Sequence, residues 1–142
     1  MTVLRPIAEV LPHREPFIMI DEVVSVDIPT RTIVAARTFR ADEPFFKGHF
    51  PGNPVVPGVL LIEGLAQTMA YLARTEKSYE NMLLVGIDNT RFRDAVYPGQ
   101  RVEFTLTLGE ERFGLHEGKG RITVAGKRVA EATLKGFARP PT

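Results

Sequence analysis

Two periodicities divide this chain. From position 57 to 74, PGVLLIEGLAQTMAYLAR, apolar residues fall on every side of a helical wheel, whereas on either side of that run they recur every second position. Pro57 suits a first helical position, and the Ala, Leu and Met that follow propagate a helix to Ala73, before the polar stretch RTEKSYEN. Residues 17–26 and 31–39 are rich in Ile, Val and Thr and predict a hairpin about a turn formed by Asp27, Ile28, Pro29 and Thr30. Beyond the helix, residues 83–88 form a short apolar run. Residues 101–108 alternate strictly, with Val102, Phe104, Leu106 and Leu108 on one face. Residues 112–123 and 128–137 predict two further strands joined near Gly126, and Pro98-Gly99 marks a turn.

A helix that is apolar all round cannot lie on a surface, while each strand has one wet face, so the sheet must curl its dry face around the helix. The expected fold class is α+β, one domain over residues 1–142, with a curved antiparallel sheet around one long buried helix. So short a chain has too few strands to enclose that helix completely. The uncovered side or the sheet edge is therefore expected to meet a second subunit. Glu63 and Gln67 interrupt the apolar run, which predicts a buried helix rather than a membrane span.

Composition narrows the chemistry. Eighteen Lys and Arg against seventeen Asp and Glu give a net charge of +1, which offers no general grip on nucleic acid. With no cysteine, disulfides, thiolate nucleophiles and cysteine-ligated zinc are excluded, leaving His13, His49 and His116 as the soft ligands. The opening residues lack an apolar core of signal-peptide length, and a cytoplasmic protein is expected. No HExxH or carboxylate–histidine cluster points to a metal, and no serine sits in a GxSxG elbow. Gly114, Gly118 and Lys119 imitate a phosphate loop with the spacing one residue short. Arg91 and Arg93, with Lys47 and Arg101, form either a small basic patch for an acidic partner or a solvated face.

The segment FFKGHFPGNPVVPGVLLIEGLAQ, residues 45–67, is denser in Gly and Pro than any other window. A rigid turn that launches a buried helix presents free N–H groups at the helix start, and Gly58 lets a ligand approach them. His49 precedes the turn; Glu63 follows in the first two helical turns, with Gln67 one turn further on the same face. Acid, base and donor are expected to converge. The plainer alternatives are a turn histidine bonded to backbone and a buried carboxylate that fixes a dimer register. A carboxylate between Ile62 and Leu65 on an apolar helix calls for a partner or a task. His13, between Pro12 and Pro16, is expected to be structural, and His116 to lie in a solvated loop.

GHFPGNPVVPGVLLIEGLAQ closely resembles the active-site segment of the FabZ-type beta-hydroxyacyl-[acyl-carrier-protein] dehydratases, which have the hotdog fold. LPHREPFIMIDEV resembles the N-terminal motif of that family, and VGIDNTRFRDAVYPGQRVEF its post-helix strand and turn. The resemblance implies that His49 and Glu63 are the catalytic pair, contributed by opposite subunits of a homodimer, or of a hexamer built as a trimer of dimers. It implies that the Gly58 N–H binds the thioester oxygen and that Gln67 supports the carboxylate. The partner it implies is an acyl carrier protein bearing a phosphopantetheine-linked acyl chain, with no cofactor. Two residues depart from the family pattern. Glu15 stands where an aromatic residue associated with gating the acyl tunnel is usual, and Gly64 where alanine is usual. Related dehydratase-isomerases carry aspartate at the position of Glu63. The rival readings are a hotdog acyl thioesterase that uses Glu63 to activate water, an R-specific enoyl hydratase, and a non-catalytic acyl-binding protein.

Overall fold

In the computed structural model, which describes residues 4–77 and 81–139, the all-round apolar run is the long helix and the sheet closes over it. The elements in chain order are α1 (Ile7–Val10), β1 (Glu22–Asp27), β2 (Thr32–Thr38), a 3-10 turn (Pro44–Lys47), α2 (Gly58–Glu76), β3 (Asn81–Phe92), β4 (Arg101–Leu108), β5 (Leu115–Val124) and β6 (Lys127–Arg139). Six strands form one antiparallel sheet in the order β1-β2-β4-β5-β6-β3, so β1 and β3 are its edges. This is the α+β hotdog arrangement.

Burial follows the two periods. Every second residue of β4, from Val102 to Leu108, is buried, while Leu61, Ile62, Leu65, Met69 and Leu72 fill the core from the helix. The sheet comes close because β5 offers glycines on its inner face. A β-carbon at Gly118 would stand 2.7 Å from the Met69 sulfur, and one at Gly120 would stand 2.6 Å from a Leu65 methyl. The phosphate-loop imitation is thus a floor for the helix. Gly64 has the same logic from the other side, since a β-carbon there would lie 2.4 Å from the buried ring of Phe104.

Several boundaries differ from the pattern. The first strand begins at Glu22 rather than at 17, because the backbone of Phe17 and Met19 bonds to a helix side chain instead of a neighbouring strand. The helix runs three residues past Ala73, where Glu76 accepts from two of the three guanidinium nitrogens of Arg31 at 2.7 and 2.8 Å. β3 extends over Asn81–Phe92, beyond 83–88, because two irregularities in register let it keep pairing with β6. His116 lies in β5 and not in a solvated loop. The period of two puts it on the inner face with Gly118, Gly120 and Ile122, and it is 2% exposed. Burial holds its proton affinity below the ordinary histidine value. Among the described residues, no helix is long and apolar enough to cross a membrane.

Candidate active site

His49 is held by backbone. The carbonyl of Phe45, in the 3-10 turn, accepts the N–H groups of Gly48 and His49 at 3.2 and 3.0 Å. The chain then reverses through Phe50 and Gly52, both at positive φ. The His49 Nδ1 lies 2.7 Å from the Val55 carbonyl oxygen. A carbonyl only accepts, so Nδ1 carries the hydrogen and the neutral ring keeps its lone pair on Nε2. Val56 in turn donates to the Val96 carbonyl at 2.8 Å, tying the loop to the segment before β4. The ring faces a cleft of about 540 Å³ shared with Val56, Gly58, Leu61 and Phe92.

The start of α2 opens on that cleft. No side chain caps it, and its first backbone bond runs from the Leu60 N–H to the Pro57 carbonyl, which leaves the N–H groups of Gly58 and Val59 outside the helical ladder. Position 58 also needs glycine for space. A β-carbon there would come within 2.7 Å of the Phe92 ring.

Glu63 is held by a side chain. Gln67, 1% exposed, donates through Nε2 to Glu63 Oε2 at 2.9 Å and to the Phe17 carbonyl at 2.7 Å, and its Oε1 accepts the Met19 N–H at 2.8 Å. Both of its N–H donors and one lone pair of its oxygen are therefore fixed by residues 17–19 and the carboxylate. His13 also reaches this place, with Nε2 3.8 Å from Glu63 Oε2. The sequence reading assigned His13 only a structural part in a turn. Its neighbours LPHREPF hold no signal of a contact 50 positions away, apart from a second histidine in a segment rich in proline.

The resemblance implies a pair contributed by opposite subunits, and within one chain the two residues share no cleft. His49 and Gly58 line one cleft, whereas Glu63, Gln67 and His13 line another with Met82, Leu83 and Leu84. Glu63 points along the stripe of α2 that the sheet leaves uncovered, where Val59 is exposed and Ala66 is half-buried. Beside that stripe runs the β3 edge, exposing Leu83, Leu84, Val85 and Ile87. Glu15 is exposed and lines neither cleft. Two of the four basic residues are paired with carboxylates. Arg93 pairs with Glu131 and Arg101 with Glu22, while Lys47 and Arg91 are solvent-exposed.

Residues 11–133 match the model of the FabA-like domain family. The chain is 43% identical over 129 residues to the 3-hydroxyacyl-[acyl-carrier-protein] dehydratase FabZ of Symbiobacterium thermophilum, covering 89% of this chain and 90% of that one. It is 44% identical over 130 residues to the protein of the same name from Enterococcus faecalis, covering 90% and 92%. Among solved structures, the dehydratase heterocomplex ApeI:P of Xenorhabdus doucetiae superposes with a TM-score of 0.83 at 19% identity, covering 99% of this chain and 93% of that one. The Escherichia coli PaaI protein superposes with a TM-score of 0.65 at 16% identity over 82% of this chain and 81% of that one, a likeness of fold. With the family model spanning most of the chain and such relatives matching nearly end to end, the chain belongs to the FabA-like family as a FabZ-type dehydratase.

Proposed function

We propose that this chain, a single hotdog domain over residues 1–142, removes water from a 3-hydroxyacyl thioester carried on acyl carrier protein, in fatty-acid or related acyl-chain synthesis, with His49 and Glu63 as its catalytic pair. The observation that carries the assignment of roles is the His49 ring pinned through Nδ1 to the Val55 carbonyl, which leaves Nε2 as a base in the cleft where α2 begins. Nε2 takes the proton from the carbon next to the thioester carbonyl. The electrons move onto the carbonyl oxygen, and the N–H of Gly58 at the positive end of the helix stabilises it. The trans-2-enoyl thioester forms as the electrons return and the hydroxyl leaves with a proton from Glu63, as water. Gln67 keeps that carboxyl oriented. No cofactor enters the scheme.

The Glu63 that serves a given His49 belongs to the second copy. Support comes from the separation of the two residues into different clefts, from the uncovered stripe of α2, and from the apolar β3 edge beside it. The reading implies a cytoplasmic homodimer whose partner is a carrier protein with a phosphopantetheine-linked acyl chain, and leaves a trimer of such dimers as its higher assembly. Glu15, which lines neither cleft of the single chain, is carried as the gate of the acyl tunnel on the resemblance alone, two residues before the segment that holds Gln67.

The test is co-expression of His49→Ala and Glu63→Gln chains under different tags, with 3-hydroxyacyl and enoyl carrier-protein substrates and simultaneous detection of free thiol. Each parent loses at least roughly a hundredfold in turnover. A mixed dimer gathers both lesions in one site and none in the other, so an unbiased pool recovers about a quarter of wild-type activity. Purified mixed dimers at the parental level would refute the shared site, and thiol release without dehydration would establish a thioesterase instead.

A further inference from the structure

Outside the two clefts, one buried cation has contacts that neither cleft explains. Arg37 on β2 is 6% exposed. Its guanidinium donates through one terminal nitrogen to the Ile18 carbonyl at 3.0 Å and to Asp21 Oδ1 at 3.2 Å, and through the other to Glu43 Oε1. It also lies 4.9 Å over the Phe39 ring. Ile18 stands between Phe17 and Met19, the two residues whose backbone fixes Gln67 and thereby Glu63. Glu43 caps the start of the 3-10 turn: its carbonyl accepts the Phe46 N–H at 3.1 Å, and the carbonyl of Phe45, two residues on, accepts the His49 N–H at 3.0 Å. One side chain therefore braces both the segment that orients the carboxylate and the turn that carries the histidine.

Stability alone does not account for the pair. A buried ion pair gains little over apolar groups of the same volume unless its hydrogen bonding is complete. Here Arg37 Nε and Glu43 Oε2 are both buried with no hydrogen-bond partner. The bonds that are made go to the two segments on which the site depends.

We propose that Arg37, through Glu43 and the Ile18 carbonyl, is a positioning residue that sets Glu63 and His49 of its own chain at once, and so ties the two active sites of the dimer together. The proposal rests on the shared-site reading. If each site takes its histidine from one chain and its carboxylate from the other, a loosened Arg37 damages one half of both sites. A fault in a single chain then impairs the whole dimer.

The Arg37→Met and Glu43→Met double variant removes both charges and keeps apolar volume, so the fold is retained where a lone Arg37→Met would strand a carboxylate. Expected for its homodimer are an unchanged melting temperature, a KM within about threefold of wild type, and a kcat reduced about a hundredfold, from about tenfold at each misplaced group. Arg37→Lys offers a single ammonium that cannot span Ile18 and Glu43, and gives an intermediate kcat with the fold kept. The deciding measurement uses purified doubly tagged dimers of one double-variant chain and one wild-type chain. Both sites then carry one lesion, and kcat falls to about a tenth of wild type. Half of the wild-type value or more would show that only one group is positioned, and would overturn the coupling. A homodimer with wild-type kcat would overturn the positioning role altogether. The His49→Ala and Glu63→Gln mixture, prepared alongside, separates the two readings. Its failure to recover activity would bring down the shared site and the coupling with it, whereas recovery alongside half-active mixed Arg37 dimers would bring down the coupling alone.

Discussion

The two halves of the proposed catalytic pair are held in opposite ways. The histidine is oriented locally: its ring bonds to a carbonyl six residues on, within a loop stiffened by Pro51, Gly52 and Pro54. The carboxylate is oriented through Gln67, whose partners Phe17 and Met19 lie 50 and 48 positions away. The contact on the histidine ring is made within its own loop, which the Val56–Val96 bond and the Arg37–Glu43 pair then anchor to the fold, whereas the contact on the carboxylate itself waits for the N-terminal segment to pack against the helix.

The largest effect that separates the halves is expected at Gln67. Gln67→Met fills the same space but leaves the buried Met19 N–H and the part-buried Phe17 carbonyl without their partner, at a cost of about 1–3 kcal/mol in unfolding free energy. Turnover falls about tenfold as Glu63 loses its fixed pose. Denaturant unfolding and steady-state kinetics check both, and an unaltered turnover would mean that the carboxylate needs no such support.

A smaller effect concerns acid. His116 in the fold binds its proton less readily than in the unfolded chain because burial disfavours the charged ring. Below about pH 6.5 the unfolded state therefore holds more protons, and stability declines as pH falls through that range. His116→Gln flattens this slope. Thermal melts of both proteins between about pH 5 and 8 check it, and an unchanged slope in the variant would mean that His116 is not the group responsible. The mildest expected change is in Glu15→Tyr, which shifts the preferred acyl length more than the maximal rate. Rates on carrier-protein substrates of several chain lengths test it, and an unchanged profile would remove Glu15 from the tunnel.

What could be read in advance follows the same division. The swallowed helix, the strictly alternating β4, and the Gly and Pro turn around His49 are local patterns, and each lies close to where periodicity put it. Residues 17–20 are an unbroken apolar run that reads as a strand, yet the backbone there is claimed by a glutamine far along the chain, which no local window contains. His13 against Glu63 escaped for the same reason. His116 escaped for another. The Gly and Lys around it, GLHEGKG, look like a loop by composition, and only the inward phase shared with Gly118 and Gly120 betrays a strand pressed against a helix.

The long β3 edge has a consequence for the life of a newly made chain. Twelve residues of strand with Leu83, Leu84, Val85 and Ile87 exposed offer an open row of backbone donors and acceptors, the template on which foreign strands add. Under the proposed shared site, a subunit without its mate is both inactive and adhesive, so an excess of unmatched chains becomes a load on chaperones before it becomes a gain in catalysis.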